Sequence, residues 1–489
     1  MTPAPVKINP PAVEESPVFP LKSGQEDFRD HLATADKQGN RKWVYPKQVK
    51  GRFYRYRTYA SWLLLAIMFS GPFIRINGNP LLLINVVERR FSVLGQIFWP
   101  QDMIILAVAL LLFFMSIIIF STAFGRLWCG WTCPQTLLME MVFRKIEYAI
   151  EEDANAQRAL DAQPWNGRKI RIKLFKHAIF FALSFIIGNT LLSYIIGTEN
   201  LFVIITDNPL HHVSGLVFMV LFTGIFYALF ARFREQACTF ICPYGRFQSA
   251  ILDENSMVVA YDHKRGETRG PLSRSQTPEM RKEAGTGDCV NCRLCVAVCP
   301  TGIDIRNGTQ MECVNCTACI DACDFIMDKV KKPRGLIRYA SLNTIETGEK
   351  QRFTARMGWY TVILSALVCG LAFLLFTRTD VETTMLRAPG ALFQKTAEGK
   401  IENLYTVKVI NKTNRDIPVE LKLENLPGNL KLMGAGQIIA PKANLIQASV
   451  LIEMDPATLG NANAKLKIGV YSGGKRLKIL TTTFIGPRL

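Results

Sequence analysis

Five long apolar stretches interrupt this sequence, at roughly 58–77, 102–122, 177–197, 212–232 and 357–377. Each has about the 20 residues that a helix needs to cross the hydrocarbon core of a bilayer. A segment that enters lipid must satisfy its own backbone hydrogen bonds, and a helix does this without a partner. The sequence therefore predicts a membrane protein with five transmembrane α-helices.

Basic residues are concentrated beside some of these stretches and absent beside others. The segment RKWVYPKQVKGRFYRYR before the first stretch holds seven Lys and Arg, whereas 198–211 holds none. Because cytoplasmic loops of membrane proteins are enriched in Lys and Arg, we expect the N-terminus and the loops 123–176 and 233–356 to be cytoplasmic. Residues 78–101 and everything after about 378 are then periplasmic, and the protein spans a bacterial inner membrane several times.

The formal net charge of +18 belongs mainly to these flanking segments. The basic residues follow apolar spans and fall in no recognisable nucleic-acid-binding motif, so we predict contact with membrane lipid and no nucleic-acid partner. The first 20 residues are rich in proline and lack the apolar core of a signal peptide. We expect residues 1–57 to form a basic, partly disordered cytoplasmic segment.

Eight of the 13 cysteines lie within about 35 positions. The run CVNCRLCVAVCP has the spacing C-x2-C-x2-C-x3-C-P, and CVNCTACIDACD repeats it with Asp324 in place of the proline. Bacterial two-cluster ferredoxins use this run, and the fourth cysteine of each run binds the other cluster; structural zinc sites are spaced differently. We therefore predict two 4Fe-4S clusters, one held by Cys289, Cys292, Cys295 and Cys323 and the other by Cys313, Cys316, Cys319 and Cys299.

Four further cysteines form two C-x3-C-P pairs: Cys129 and Cys133 in WCGWTCP, and Cys238 and Cys242 in CTFICPYG. The pairs follow the cytoplasmic ends of the second and fourth predicted spans, so both lie at one membrane depth. Residues i and i+4 share a helix face, so we expect each pair to point in one direction and the two pairs to converge. Soft thiolates suit Cu(I), zinc or an iron-sulfur centre, and they could also form a redox-active disulfide.

The C-terminal segment contains short alternating strands separated by Gly, Pro and Asn, which is typical of an immunoglobulin-like β-sandwich. It has no cysteine or histidine, so we interpret it as a structural or docking module. The predicted domain order is four transmembrane helices with the C-x3-C-P pairs at 58–256, an inserted ferredoxin domain at 257–356, the fifth helix at 357–377 and a periplasmic immunoglobulin-like domain at 378–489.

The combination of WCGWTCP, CTFICPYGRFQ, the double ferredoxin run and the β-rich tail resembles the FixG/CcoG (RdxA) family, cytochrome c oxidase accessory proteins of the membrane polyferredoxin type. The resemblance implies reduction of Cu(II) to Cu(I) during assembly of the cbb-type oxidase. It also implies copper chaperones or transporters and oxidase subunits as partners, and an electron donor that the sequence does not identify. Cys129, Cys133, Cys238 and Cys242 would then be the copper site or the last relay before it.

Two other functions fit the same motifs. Membrane polyferredoxins of the NapH type are quinol dehydrogenases, and their clusters exchange electrons with the quinone pool. A non-catalytic iron-sulfur scaffold, with a β-sandwich that docks oxidase subunits, is the third interpretation. Copper reduction agrees best with thiolate chemistry, because Cu(II) prefers nitrogen and oxygen ligands whereas thiolate carriers take Cu(I).

Overall fold

The computed structural model describes residues 33–36, 38–85, 90–272, 278–349, 354–390, 392–396, 398–434, 436–459 and 463–487. Residues 1–32, which make up most of the segment that we predict to be partly disordered, lie outside the described residues.

The first half of the described chain is mainly helical. Its helices are α1 Arg52–Ser70, α2 Met103–Phe124, α3 Leu127–Trp131, α4 Pro134–Leu137, α5 Arg144–Glu151, α6 Ala154–Ala162, α7 Gly167–Ile196, α8 Thr198–Thr206, α9 Val213–Ala228 and α10 Pro243–Ile251. Three π-helical segments interrupt or extend them, Leu138–Phe143, Leu229–Phe233 and Ala237–Ile241. Such segments are rare and occur frequently at functional sites, and these three border the two C-x3-C-P pairs.

Five short strands, β1 Arg75–Ile76, β2 Asn79–Pro80, β3 Leu82–Asn85, β4 Arg90–Val93 and β5 Gln96–Phe98, connect α1 to α2. The ferredoxin region contains α11 His263–Gly266, α12 Pro278–Glu283, α13 Leu294–Ala297, α14 Ala318–Lys329 and α15 Leu342–Thr347, with strands β6 Val258–Tyr261 and β7 Ile337–Ala340. Strands β6 and β7 pair in antiparallel fashion, and this pairing joins the two ends of the cysteine-rich region. The last helix is α16 Ala355–Phe376.

Four described helices are long and apolar enough to cross a membrane: α2, α7, α9 with its π-helical extension to Phe233, and α16. They match the second to fifth predicted spans within a few residues at most ends, although α7 begins ten residues earlier than predicted, at Gly167. Side chains of α2 and α16 are largely exposed in the isolated chain, as expected of helices that face lipid. The chain is therefore a membrane protein with four such helices.

The first predicted span, 58–77, is not confirmed as a fifth. Helix α1 ends at Ser70 and its first two turns carry Arg52, Arg55 and Arg57, so only its second half is apolar. It packs against α7, where the Tyr194 hydroxyl donates to the carbonyl of Met68 at 2.8 Å. A bilayer-spanning role for α1 stays a prediction.

The C-terminal segment forms two antiparallel sheets. The strands are β8 Val381–Arg387, β9 Gln394–Lys395, β10 Ile401–Asn411, β11 Ile417–Leu423, β12 Asn429–Met433, β13 Ile438–Ala440, β14 Leu445–Met454, β15 Asn463–Ser472 and β16 Lys475–Ile485. One sheet has the order β12-β14-β10-β8, with β9 paired to β10, and the other has the order β13-β11-β15-β16. Alternate residues such as Tyr405, Val407 and Val409 are buried between the sheets, as in a sandwich core.

Ion pairs attach this sandwich to the start of α2. Lys412 Nζ lies 2.5 Å from Oδ1 of Asp102, and Arg378 Nη2 lies 2.8 Å from Oδ2 of the same carboxylate. Lys412 also contacts Glu382 at 2.9 Å. Because Lys412 and Asp102 are both buried, the sandwich is fixed against the membrane helices at the end of α2 opposite the cysteine pairs.

Candidate redox site

The two ferredoxin runs fold into loops of the same shape. Asn291 and Arg293 in the first run, and Asn315 and Thr317 in the second, all have φ between +52° and +66°. A left-handed conformation costs a non-glycine residue about 1–3 kcal/mol and persists only where its surroundings impose it. Each loop thereby curls around its own cysteines, which is the shape needed to place three sulfurs around one cluster.

The structure brings the eight predicted ligands together around two neighbouring cavities. One cavity is lined by Cys289, Cys292, Cys295 and Cys323, and the other by Cys299, Cys313, Cys316 and Cys319, with Cys295 also on its wall. In each cavity the fourth cysteine comes from the other run, as in the predicted crossed arrangement. The donor sets therefore fit one 4Fe-4S cluster each, and the assignment of individual ligands stays a prediction.

The two C-x3-C-P pairs are also structural repeats. Cys133 and Cys242 have nearly the same extended backbone, and each precedes a proline at the first position of a helix. Four residues before the first cysteine of each pair, Gly125 and Arg234 share a second unusual conformation, with φ of 57° and 53° and ψ of −130° and −123°. The chain therefore leaves the two spanning helices and enters the next helices in the same way.

The prediction that each pair lies on one helix face is wrong. Helix α3 contains Cys129 but ends at Trp131, and Cys133 caps the next helix. Similarly, Cys238 lies in a π-helical segment that ends at Ile241, before Cys242. Proline at N1 forces this break, because the residue before a proline is driven to extended backbone.

The four cysteines of the two pairs nevertheless converge, as predicted. Burial, together with the nearby thiols of Cys133, Cys238 and Cys242, raises the pKa of the Cys129 thiol to about 12. Burial likewise raises the pKa of Cys238 to about 12, with contributions from Cys133 and Cys242. Each thiol pair therefore lies within range of the other pair's charge. A bound metal would offset the cost of deprotonating them.

The first pair also contacts the helix that follows the second pair at this four-thiol site, defined as Cys129, Cys133, Cys238 and Cys242. The Cys129 thiol donates to Oε1 of Gln248 on α10 at 3.1 Å. Gln248 is fully buried and donates to Ser121 on α2 at 3.1 Å. The helix that follows the second pair is thus tied to the first.

The four-thiol site touches the loop of the second ferredoxin run through a glycine. A Cβ at Gly130, between Cys129 and Cys133, would lie only 2.5 Å from the carbonyl oxygen of Val314 and 2.6 Å from that of Asn315. A side chain at this position would overlap backbone atoms unless the loop moved. Since Val314 and Asn315 separate Cys313 from Cys316, the backbones of the two cysteine motifs are in van der Waals contact.

Hydrogen bonds from the side chains of Arg126 and Trp131 hold this contact in place. Arg126, just before the first pair, donates to the carbonyls of Met311 and Gly245, so it joins the ferredoxin run to the second pair. The Trp131 indole donates to the hydroxyl of Tyr339 at 3.1 Å. These bonds fix the distance between the two sets of thiols.

Arg57 is a buried cation at the same junction. Its Nε donates to the carbonyl of Gly130 at 2.7 Å, and the residue is only 3% exposed. Its Nη2 is buried without a hydrogen-bond partner, and none of the described carboxylates forms a salt bridge with it within 4.0 Å. Burial raises the pKa of Cys316 to about 12, and the charge of Arg57 opposes that rise. Arg57 therefore places positive charge beside the second ligand set.

Replacing Arg57 by glutamine is expected to lower the reduction potential of the centre held near Cys316. The reduced centre carries one more negative charge, which a nearby cation stabilises, and charge is one of the determinants of cluster potential. A fall of about 59 mV would change a one-electron equilibrium tenfold. The potential is measured by redox titration monitored by electron paramagnetic resonance.

Arg55 provides the matched control for this prediction, because it lies on the same helix but is exposed. We expect Arg55→Gln to leave both potentials unchanged, and Arg57→Lys to retain most of the wild-type value. Equal potentials in Arg57→Gln and wild type would contradict the electrostatic role of Arg57.

The sequence motifs indicate the cysteines but not Gly130 or Arg57. The sequence signals that could have indicated these two residues are a glycine between two cysteines and an arginine among the aromatic residues of RFYRYR. Two methionines near the first pair, Met139 and Met141, are buried: Met139 packs in a core with Phe143, and the Thr58 hydroxyl contacts the Met141 sulfur at 4.0 Å.

Comparisons with known families identify both cysteine regions as iron-sulfur domains. Residues 233–342 match a 4Fe-4S dicluster domain, and residues 106–150 match a 4Fe-4S binding domain. Residues 371–487 match the IG-like fold at the C-terminal of FixG. These matches confirm the iron-sulfur chemistry and the immunoglobulin-like fold that the sequence predicts.

Two relatives align with most of this chain. The nitrogen fixation protein FixG of Rhizobium meliloti is 34% identical over 79% of this chain and 80% of its own. Protein RdxA of Cereibacter sphaeroides is 35% identical over 91% of this chain and 97% of its own. A crystal structure of a FixG-related protein from Vibrio parahaemolyticus is 22% identical over 22% of this chain and 97% of its own, with a TM-score of 0.20. The predicted resemblance is thus confirmed, and the chain belongs to the FixG/RdxA family of membrane-associated iron-sulfur proteins.

Proposed function

We propose that this protein reduces Cu(II) to Cu(I) by single-electron transfer and supplies the Cu(I) for assembly of a cbb-type cytochrome c oxidase. The observation that carries the proposal is the backbone contact of Gly130 with Val314 and Asn315. It connects the two iron-sulfur ligand sets to a thiol-rich site at the end of two spanning helices. An electron that reaches Cys313 and Cys316 has a short route to Cys129 and Cys133.

The chemistry needs only one electron for each copper ion. A reduced 4Fe-4S centre gives up one electron and returns to its oxidised state, Cu(II) becomes Cu(I), and no proton is transferred. Cu(II) favours nitrogen and oxygen ligands whereas Cu(I) favours sulfur. Reduction beside thiols therefore converts copper to the form that thiolate and thioether carriers accept.

The proposal includes a topology and partners. The N-terminal segment and the ferredoxin region would lie in the cytoplasm and the sandwich in the periplasm, in accordance with the Lys and Arg distribution. A cytoplasmic electron donor would then reach the cavity lined by Cys289 and Cys292, where Cys292 is exposed. Copper chaperones or transporters would take the Cu(I), and the sandwich would contact oxidase subunits.

Copper reduction is tested on the whole chain purified anaerobically in detergent. The protein is reduced with dithionite, freed of reductant, and mixed with Cu(II) in the presence of a Cu(I)-specific chelator. We expect one Cu(I) for each electron stored, together with bleaching that matches the reoxidation of the iron-sulfur centres. Absence of Cu(I) from reduced protein would overturn the proposal.

A quinol dehydrogenase is the second candidate, and an apolar surface beside Cys242 favours it. Phe240, Ile241 and Phe247 are 42%, 60% and 49% exposed, so a lipid-soluble carrier could approach this face. The same reduced protein mixed with a water-soluble quinone analogue tests this function. Rapid reoxidation by the quinone without reaction with Cu(II) would assign the protein to the quinone pool; inertness toward both would favour the scaffold interpretation.

A further inference from the structure

We infer that the protein receives its electrons from a small acidic carrier protein, which docks on an exposed surface formed by Phe325, Lys329 and Lys331. This docking surface lies beside the cavity lined by Cys289 and Cys292 (the first cavity), where Cys292 is exposed. The inference deepens the proposed function, because it gives the chemistry of the electron donor, and it rests on that function for the direction of electron flow and the cytoplasmic location of the surface.

Phe325 and Lys329 lie on the outer side of a helix that forms part of the wall of the first cavity. Cys323 and Ile326 on α14 line this cavity together with Cys292, and Phe325 between them is 50% exposed. The Nζ of Lys329 lies 4.4 Å from the centre of the Phe325 ring. A partner that contacts this ring is therefore close to two predicted cluster ligands.

The loop after α14 adds Lys331 to the same surface. The backbone N–H of Lys332 donates to the carbonyl of Met327, which also lines the first cavity, at 2.9 Å. The Nζ of Lys332 lies 2.9 Å from Oδ1 of Asp288, the residue before Cys289. These two contacts hold the loop against the first ferredoxin run, and Lys331 is exposed at its start.

The docking surface carries positive charge that its own neighbours do not neutralise. Asp328 is the carboxylate nearest in sequence to both lysines, but it accepts from Nε and Nη2 of Arg334 at 2.7 Å each. Among the ion pairs between described residues, none involves Lys329 or Lys331 within 4.0 Å. Because complementary charge steers association and suppresses wrong partners, this surface favours a partner with an acidic face.

The position of the docking surface favours a soluble partner over lipid headgroups. Strand β7 begins at Ile337, which lines the first cavity, and ends at Ala340, which pairs with Val258. The next residue, Met257, donates its backbone N–H to the carbonyl of Ala123 near the end of α2 at 3.2 Å. A strand of four residues spans about 10 Å, so the docking loop and the spanning helix lie at opposite ends of β7.

The electron balance limits the partner to one-electron carriers. The reduced carrier gives up one electron and returns to its oxidised form, the oxidised iron-sulfur centre beside Cys292 is reduced, and no proton is transferred. Interfaces between electron-transfer proteins are among the smallest protein interfaces. One exposed ring with two flanking cations suits such a brief encounter.

The test measures reduction of the whole chain, purified anaerobically in detergent and oxidised, by a reduced plant-type ferredoxin, an acidic carrier of low potential. Stopped-flow absorbance follows the reaction. We expect the double substitution Lys329→Glu and Lys331→Glu to slow it at least about tenfold at low salt, because charge steering changes association rates by this much or more. Reduced methyl viologen, a small cation, should not react more slowly with the variant than with the wild type.

The matched control is the double substitution Lys465→Glu and Lys467→Glu. Both lysines are exposed on β15 of the sandwich, so this variant has the same net charge as the docking-surface variant but an unchanged ferredoxin region. We expect it to react with ferredoxin at the wild-type rate. Equal iron content in the three proteins ensures that the rates report docking.

Three results would overturn the inference. The first is a wild type that reacts with ferredoxin no faster than the docking-surface variant. The second needs no variant: a wild-type rate with ferredoxin that does not fall as ionic strength rises. The third is an unchanged ferredoxin rate in a variant that copurifies with less phosphatidylglycerol, which would assign the two lysines to lipid headgroups.

The ferredoxin assay and the copper assay fail independently. A charge-dependent reaction with ferredoxin in a protein that does not reduce Cu(II) would support the docking surface and overturn the proposed function. Reduction of Cu(II) by a protein whose reaction with ferredoxin ignores charge would do the reverse.

Discussion

Replacement of Gly130 by alanine is expected to slow the reoxidation of the reduced protein by Cu(II) about a hundredfold, the effect that a displacement of about 1 Å has where geometry limits a step. The new Cβ would overlap the carbonyl oxygens of Val314 and Asn315, which lie 2.5 and 2.6 Å from its position. Both obstacles are backbone atoms, so the loop itself must move. The rate is measured by stopped-flow absorbance of the iron-sulfur centres after mixing with excess Cu(II).

Gly370→Ala is the matched control, because Gly370 also lies in a helix and no atom stands within 4 Å of its added Cβ. We expect this variant to react at the wild-type rate. Both variants must contain the wild-type amount of iron, so that a slower rate reports distance and not loss of a centre. A wild-type rate in iron-replete Gly130→Ala would mean that electrons do not pass through this contact.

The sequence was sufficient for features that depend on local spacing. The eight cysteines of the ferredoxin runs could be predicted as cluster ligands from their spacing alone, because the loop that binds a cluster is built from neighbouring residues. The alternating strands of the sandwich were equally local: β10, β14 and β15 alternate inward and outward residues as the sequence predicts. Four of the five apolar stretches became helices of spanning length for the same reason.

The sequence was insufficient where residues far apart in the chain meet. Gly130 faces Val314 and Asn315 across more than 180 positions, and no interval in the sequence indicates that contact. Arg57 was predicted only as part of a basic flank, yet it is buried against Gly130. The single helix face predicted for each C-x3-C-P pair was wrong because the proline ends the preceding helical turn.

The second large effect is expected at the buried ion pair that joins the two repeats. Arg234, four residues before Cys238, donates to Glu147 on α5 at 3.1 Å and 2.5 Å. Both residues are buried. Burial acts to raise the pKa of Glu147, but the positive charges of Arg234, Lys176 and Arg144 outweigh burial and lower this pKa. Arg234 also has φ of 53° and ψ of −123°, a conformation that costs a non-glycine residue about 1–3 kcal/mol. The ion pair therefore holds Arg234 in a backbone conformation that the second repeat requires.

Replacing Glu147 by glutamine is expected to lower the free energy of unfolding by about 3 kcal/mol, the lower end of the cost of breaking a buried pair. The lower end of this range applies because a second carboxylate, that of Glu235, lies 3.9 Å from the Nε of Arg234 and still offsets part of its charge. The variant should also lose iron faster than the wild type on warming, since Arg234 positions the chain that leads to Cys238 and Cys242. Thermal unfolding in detergent and the rate of iron release to a chelator measure the two effects.

Glu199→Gln is the control for this prediction, because Glu199 forms an ion pair of similar length with Arg75, at 2.7 Å, but is 77% exposed. Exposed pairs contribute about 1 kcal/mol at most, so this variant should unfold and release iron as the wild type does. The contrast between two Glu→Gln changes separates burial from the loss of a charge. Equal behaviour of the two variants would mean that the Glu147–Arg234 pair does not hold the repeats together, and the four thiols would then depend on Arg126 and Gln248 for their convergence.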